Sequence, residues 1–295
     1  MRPVGSIPSP SSGTVDLGPI TLHLYGVMLL LAIAVATAVA GRRWVARGGD
    51  WDRIFRCAVW GVGSGIVGAR LYHLATSWEE VPDAWWGPFA IWKGGLGVWG
   101  GIATGCLVGA VVARRAGADV RLLADCLAPG LLLAQGIGRL GNYSNQELFG
   151  RPTTLPWGLE IDPSRYPEGR LFTAGTTFHP TFLYELLWDV AAAAILVYLI
   201  ERRLRPRPPS IFAAYVALYC FGRFWTELIR IDPAHEIGPF RLNNWVALIG
   251  FVAAVLWLVR INRRTGPTPP RPRRRPREAE RPRGETMAVL RGRRR

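Results

Sequence analysis

The chain has 295 residues, 49% of them hydrophobic, and a formal net charge of +15. Its apolar residues fall in long blocks with few charges, which excludes an ordinary soluble domain and points to a polytopic membrane protein. From Arg260 onward 14 arginines face 3 glutamates, so the high charge belongs to a Pro/Arg-rich tail that can form no core, and nucleic acid is not the expected partner.

Residues 1–21 are rich in Pro, Ser and Gly and nearly uncharged. They are expected to be an extracytoplasmic segment. No basic region stands directly ahead of an apolar run with a small-residue cleavage site, so no removable signal peptide is expected. The first apolar block is about Leu22–Ala40, opening with His23-Leu24-Tyr25-Gly26. Block two, about Ile54–Ala75, carries Gly61, Gly63, Gly65 and Gly68, and glycines let membrane helices approach closely. Arg70 near its end is expected either to snorkel to the surface or to face the interior. The connector 77–93 contains Trp78, Trp85, Trp86 and Trp92, an interfacial aromatic belt. Block three, about Gly94–Ala113, begins Gly94-Gly95-Leu96-Gly97-Val98-Trp99-Gly100-Gly101, and block four is about Leu122–Leu140.

The connector 141–180 holds Pro152, Pro156, Pro163 and Pro167 and is expected to be a small surface domain or lid of short strands and turns. Blocks five to seven are about Thr181–Ile200, Ile211–Leu228 and Leu242–Val259. Every block is long enough to span a bilayer. Arginine-rich loops at 41–53, 114–121 and 201–210 and the tail alternate with acidic or mixed ones. The positive-inside rule then puts the N-terminus outside and the C-terminus in the cytoplasm. The expected fold is an all-α, polytopic membrane protein with seven transmembrane helices over 22–264 and a small extracytoplasmic domain at 141–180. Residues 265–295 are expected to be a disordered cytoplasmic tail attracted to anionic lipid. Cys57, Cys106, Cys126 and Cys220 match neither a zinc site nor a disulfide framework, and are expected to be buried as small hydrophobes.

Two polar sets stand out. The apolar run Leu131–Ile137 leads directly into Gly138-Arg139-Leu140-Gly141-Asn142-Tyr143-Ser144-Asn145-Gln146-Glu147-Leu148-Phe149-Gly150. Ionisable groups where a hydrophobic helix meets the membrane surface are costly and mark a functional site. Arginine suits a phosphate because it offers a fixed fork of donors and keeps its charge. The second set closes block six. Tyr219, Arg223 and Glu227 are four residues apart and share one helix face, with Arg230 nearby. His179-Pro180 opens block five ahead of Tyr184-Glu185, and His179 is expected to cap or hold the outer end of that helix.

These residues, in this order, resemble the prolipoprotein diacylglyceryl transferase family over most of 20–260. The strongest part is the 138–150 segment. The His23–Gly26 and Gly94–Gly101 segments, His179-Pro180 with Tyr184-Glu185, and the Tyr219 to Arg230 set support it. The resemblance implies a bacterial plasma-membrane enzyme that moves the diacylglyceryl group of phosphatidylglycerol onto the lipobox cysteine of a prolipoprotein, forms a thioether and releases glycerol phosphate. It implies no cofactor, metal or nucleotide. It places important residues at Tyr25, Arg139, Asn142, Glu147, Tyr219 and Arg223. His23, Gly95, Trp99, His179, Glu227 and Arg230 complete the expected substrate-binding set. In well-studied relatives a histidine proposed to be catalytic stands where this chain has Trp99, and an indole accepts no proton at neutral pH.

The expected chemistry is attack by a substrate thiolate on the glycerol carbon that carries the phosphate ester. Arg139 and Arg223 would grip the phosphate from two helices, Asn142 would bind the glycerol hydroxyls, and Glu227 would orient Arg223. Glu147, His23, the substrate phosphate or water are the candidate bases. The alternative is a membrane transporter or flippase for an anionic lipid or peptide. Against that alternative, the charged clusters lie near the outer helix ends and none marks the midplane.

Overall fold

A computed structural model describes residues 5–18, 20–204 and 206–263; the tail 265–295 lies outside the described residues. Seven long helices carry the chain: α1 (Leu24–Val45), α2 (Trp51–Thr76), α3 (Val98–Arg115), α4 (Val120–Asn145), α5 (Thr181–Ala194), α6 (Ser210–Ile229) and α7 (Leu242–Arg263). A π-helical stretch, Ile195–Leu204, prolongs α5. Asp50 caps α2 by accepting from Arg53 N at 2.9 Å, and Asp119 caps α4 by accepting from Arg121 N at 2.9 Å.

The protein is mostly helical, with short strands in the 141–180 segment as expected and two further hairpins that were not. The N-terminal segment forms a hairpin in which β1 (Thr14–Leu17) pairs antiparallel with β2 (Ile20–His23), Thr14 opposite His23. Between α4 and α5, β3 (Pro152–Thr153), β4 (Leu159–Glu160) and β5 (Thr177–Phe178) form a small sheet in the order β3-β5-β4. Phe149, Leu159, Ile161, Phe178 and Ile231 are buried together beneath it. A last hairpin, β6 (Glu236–Ile237) with β7 (Phe240–Arg241), leads into α7.

Two boundaries differ from those expected. Block three begins as a loop, because Gly94 and Gly95 take φ of +91° and +73° and the helix starts only at Val98. Block four runs on through Asn145, so residues 141–145 lie on the helix rather than in the connector. Its glycine at 141 is there for packing. A Cβ on Gly141 would lie 2.5 Å from the Tyr25 ring of α1.

α4 packs against α1, α5 and α6, while α2 and α3 pack mainly on each other. The α2/α3 contact depends on small residues, since a Cβ on Gly68 would lie 2.7 Å from the Gly100 carbonyl oxygen. Leu132, Leu196 and Ile211 are buried between α4, α5 and α6, and Ala40, Ile54 and Leu123 between α1, α2 and α4. At the opposite end of the helices from the Arg139 segment, Arg43 of α1 and Arg47 in the turn after it pair with Glu201, the former at 2.8 Å. There buried Asp125 of α4 accepts from the Phe212 amide at 2.8 Å.

Among the described residues five helices are long and apolar enough to cross a membrane: α1, α2, α4, α5 with its prolongation, and α7. α3 is short and ends on two arginines, and α6 carries Arg223 and Glu227. Leu30, Trp60, Leu107, Ile249 and Leu256 are exposed on the helix flanks, as expected of a multi-pass membrane protein whose solvent there is lipid. Of the cysteines only Cys126 is fully buried; Cys57 and Cys220 are partly covered and Cys106 is exposed, so burial does not describe all four.

Candidate active site

The polar residues gather where α4, α5 and α6 meet beneath the small sheet. Arg139 of α4 forms an ion pair with Glu185 of α5, its Nε 2.7 Å from Oε2. Arg223 of α6 approaches the other oxygen of the same carboxylate, Nη1 to Oε1 at 3.4 Å. Glu185 therefore bridges two arginines from two other helices, and its side chain is only 8% exposed. The pairing compensates charges that would be expensive singly at this depth.

Both arginines are held from behind. Arg139 Nη1 donates to Asn142 Oδ1 at 3.3 Å, one helical turn on, and Asn142 Nδ2 donates to Glu147 Oε1 at 2.7 Å. The chain can return Glu147 over the helix end because Gln146 and Leu148 take left-handed φ of +54° and +59°, a conformation costly for residues with a side chain. The N-terminal segment braces this turn: Tyr143 Oη donates to the Pro8 carbonyl at 2.6 Å and Gln146 Nε2 to the Pro10 carbonyl at 2.9 Å.

On α6, Arg223 Nη2 lies 2.7 Å from Glu227 Oε2, the i,i+4 pair expected from the spacing. Glu227 is wholly buried and also meets Arg230 at 3.5 Å, Arg241 at 2.9 Å and Asn243 Nδ2 at 3.1 Å. Arg230 forms a two-pronged pair with Asp232, both bonds 2.8 Å, and Arg241 reaches the same carboxylate at 2.9 Å. Burial works to raise the Asp232 pKa, but the bonds and charges of Arg230 and Arg241 outweigh it and hold the carboxyl below the usual range.

Tyr219 lies within electrostatic range of Arg139, Arg223, Glu185 and Asp189. Asp189 is 3% exposed, one turn along α5 from Glu185, and makes no hydrogen bond or ion pair among the described residues. An open cleft of about 430 Å³ adjoins the centre, lined by residues 145–149 with Arg165, Pro167, Asp232 and Pro233.

The structure thus brings together Arg139, Asn142, Glu147, Tyr219, Arg223, Glu227 and Arg230, with Tyr25 packed on the same turn of α4. It does not bring the rest to them. His23 is exposed at the start of α1 and makes no capping bond through its side chain. His179 pairs through Nδ1 with Tyr184 Oη at 3.0 Å, tying the sheet to α5. Its burial, and second the charge of Arg151, hold its pKa below the ordinary value. Gly95 and Trp99 belong to a separate centre between α2 and α3. There buried Arg70 donates to the carbonyls of Gly87, Pro88, Gly94 and Gly95 at 2.7–3.0 Å. Arg70 therefore faces inward and fixes the loop. A Cβ on Gly95 would lie 2.5 Å from Arg70 Nη1. Trp99 is exposed on α3, and no hydrogen bond, ion pair or ring contact joins it to either arginine among the described residues.

Sequence reasoning passed over Glu185, Asp189, Asp232 and Arg241. Glu185 follows Tyr184 in the His179 segment, so it was in view without a partner. Arg241 and Asp232 lie in the short connector after α6, where spacing carries no signal.

The fold and this centre define a multi-pass membrane protein with an ion-paired, anion-competent site at one end of its helix bundle. A family model described as prolipoprotein diacylglyceryl transferase matches residues 13–260. Relatives named phosphatidylglycerol–prolipoprotein diacylglyceryl transferase include one from Cutibacterium acnes, 49% identical over 264 residues, covering 88% of each chain. Another, numbered 2 in Streptomyces coelicolor, is 47% identical over 86% of this chain and 80% of its own. One from Mycobacteroides abscessus is 42% identical over 86% and 78%. The chain belongs to the prolipoprotein diacylglyceryl transferase family and is a transferase enzyme.

Proposed function

We propose that the chain transfers the diacylglyceryl group of phosphatidylglycerol to the lipobox cysteine thiol of prolipoproteins, and that Arg139 and Arg223 hold the phosphate during transfer. The observation that carries the site assignment is the Glu185 carboxylate between the two guanidiniums. A phosphate is the same kind of ligand, a compact oxyanion with several acceptors, and two arginine forks on separate helices suit it. Asn142, fixed by Glu147, serves the glycerol hydroxyls. Glu227 keeps Arg223 aimed while Arg230, Arg241 and Asp232 hold Glu227. Tyr25 and Tyr219 wall the site, and His179 fastens the sheet above it. Gly95 and Trp99 shape the neighbouring segment beside the lipid.

The thiolate sulfur attacks the glycerol carbon, the carbon–oxygen bond to phosphorus breaks, and glycerol phosphate leaves with one more negative charge. The arginines therefore bind the transition state more tightly than the ground state. The cleft lined by residues 145–149 and Arg165 offers the product a way out.

The same proposal extends to topology. All seven helices cross the bilayer, with α3 and α6 spanning despite their charges because those charges are paired or terminal. The N-terminus and the 141–180 segment are outside as a lid, and the C-terminus is cytoplasmic. The tail 265–295 meets anionic lipid headgroups, and nucleic acid is no partner. Incubation of the purified protein with phosphatidylglycerol and a lipobox peptide, read by mass, tests the function. A thioether adduct is expected from the wild type and nearly none from Arg139→Ala or Arg223→Ala. Adduct formation by both inserted variants at the wild-type rate would remove the phosphate clamp.

A further inference from the structure

We propose that Glu185 is the proton acceptor for the substrate thiol, and that it becomes one only when the donor lipid takes its two arginines. This inference rests on the phosphate clamp proposed above. In the structure each carboxylate oxygen faces one arginine, Oε2 lying 2.7 Å from Arg139 Nε and Oε1 3.4 Å from Arg223 Nη1. A phosphate that takes the arginine nitrogens Glu185 now faces, Arg139 Nε and Arg223 Nη1, displaces the carboxylate. The displaced carboxylate has nowhere wet to go, because its side chain is 8% exposed and α5 is pinned at its start by the small sheet.

The arginines themselves do not follow Glu185. Arg139 keeps Asn142, and Arg223 keeps Glu227 at 2.7 Å. Displacement therefore leaves a clamp on the phosphate and one ionised carboxylate beside it, stripped of counter-charge. Like charges in a buried site repel, and taking up a proton removes the repulsion. Asp189 is buried one turn along the same helix, within electrostatic range of Glu185, so no counter-charge is supplied from that side. The thiol is the proton source that the reaction must consume.

Apart from Asp189, which faces neither arginine in an ion pair among the described residues, the other acids and bases around the centre are committed or distant. Glu227 keeps Arg230, Arg241 and Asn243 whether lipid is present or not. Glu147 accepts from Asn142 and Asn145. Asp232 is held by Arg230 and Arg241. Tyr219 is a phenol that holds its own proton near neutral pH. His23 is exposed and His179 is bonded to Tyr184.

The step balances. The S–H proton passes to a Glu185 oxygen, the sulfur forms its bond to the glycerol carbon, and the electron pair of the broken C–O bond goes to the departing phosphate. Glu185 then gives its proton to that phosphate or to water. Ionised again, it competes for Arg139 and Arg223 and helps expel glycerol phosphate. One carboxylate thereby orders the cycle, since the thiol is not ionised until a donor is bound.

The test uses full-length Glu185→Gln, with phosphatidylglycerol binding and turnover measured separately. Two lipobox peptides are compared, one with cysteine and one with selenocysteine, whose selenol is already ionised at neutral pH. Turnover of the cysteine peptide should fall by about 10²–10⁴-fold, the usual share of a general base. Lipid binding should be as tight or tighter, because the glutamine competes less for the arginines. The selenocysteine peptide should restore most of the lost rate in the variant and change the wild type little. Lost lipid binding without selenocysteine rescue would make Glu185 a structural clamp and overturn the proposal, as would near wild-type turnover. Should Glu185→Gln not insert, Glu185→Asp carries the same test. Its acid is one methylene short of both arginines, so a slowed cysteine reaction with selenocysteine rescue supports the proposal and no rescue overturns it. Arg139→Ala and Arg223→Ala are run alongside for lipid binding. If they bind as the wild type does, the phosphate clamp is what has failed.

Discussion

Replacing Arg223 by lysine separates charge from shape at the centre of the site. Arg223 directs one terminal nitrogen to Glu185 at 3.4 Å and the other to Glu227 at 2.7 Å. Lysine keeps the positive charge but has one nitrogen, so it serves Glu227 or the ligand and not both. A hydrogen bond to a charged group contributes about 1.5–3 kcal/mol, and each 1.36 kcal/mol in the barrier is about tenfold in rate. Arg223→Lys should therefore slow transfer by roughly 10–150-fold, whereas Arg223→Ala should lose on the order of a hundredfold or more. Neither change strands Glu227, which retains Arg241 at 2.9 Å and Arg230 at 3.5 Å, so both variants should insert. Initial rates with phosphatidylglycerol and a lipobox peptide, at matched membrane protein level, decide the matter. A lysine variant indistinguishable from wild type would refute the argument from the guanidinium fork. A lysine variant no better than alanine would show that charge alone contributes nothing.

Trp99→Phe should slow transfer less than about tenfold, roughly 1.4 kcal/mol, because the ring is exposed and unconnected to the arginines. If it is inactive while Arg223→Lys still turns over, the chemistry belongs to the Gly94–Gly101 segment. A reporter fused after Arg264 should be cytoplasmic and one inserted near Glu168 extracytoplasmic; finding both on one side would end the seven-span proposal. His179 is held neutral in the fold, so its share of stability is complete above the unfolded value of about 6.5 and shrinks as pH falls towards its lower folded value. The melting-temperature advantage of wild type over His179→Gln should accordingly narrow from pH 8 to pH 5.5, and an advantage that widens would reverse the sign of the argument.

The helices were legible because each apolar block is long and separated by arginine or proline. The Arg223–Glu227 pair was legible because it lies within one helix at i,i+4. What escaped was pairing between elements. Glu185 meets Arg139 and Arg223 across 46 and 38 positions, and no periodicity reports that. Gly141 looked like the start of a connector, yet it is a notch for the Tyr25 ring and the helix continues past it. The N-terminal hairpin was hidden for a related reason. Residues 14–23 alternate only briefly, and their segment is tied down by bonds from Tyr143 and Gln146 far along the chain. Arg70 had two expected fates, and the four carbonyls that turn it inward come from a loop whose glycine backbone angles spacing does not reveal.

The bridge at Glu185 also constrains how the protein is made. Arg139 emerges on α4 before α5 and α6 have been synthesised. A lone arginine costs about 2.5–3.5 kcal/mol at the centre of an inserting helix on the translocon scale and less towards its end, where Arg139 stands. Until Glu185 arrives on α5, Arg139 has only Asn142 of its own helix as a side-chain partner among the described contacts. Arg223 then arrives with Glu227 already one turn away. The nascent chain thus passes through a stage at which α4 holds an uncompensated cation near the bilayer surface. Elongation by some forty-six residues, from Arg139 to Glu185, ends that stage. A pause or truncation inside this window leaves a helix that gains by sliding outward, and quality-control proteases of the membrane would meet the chain there.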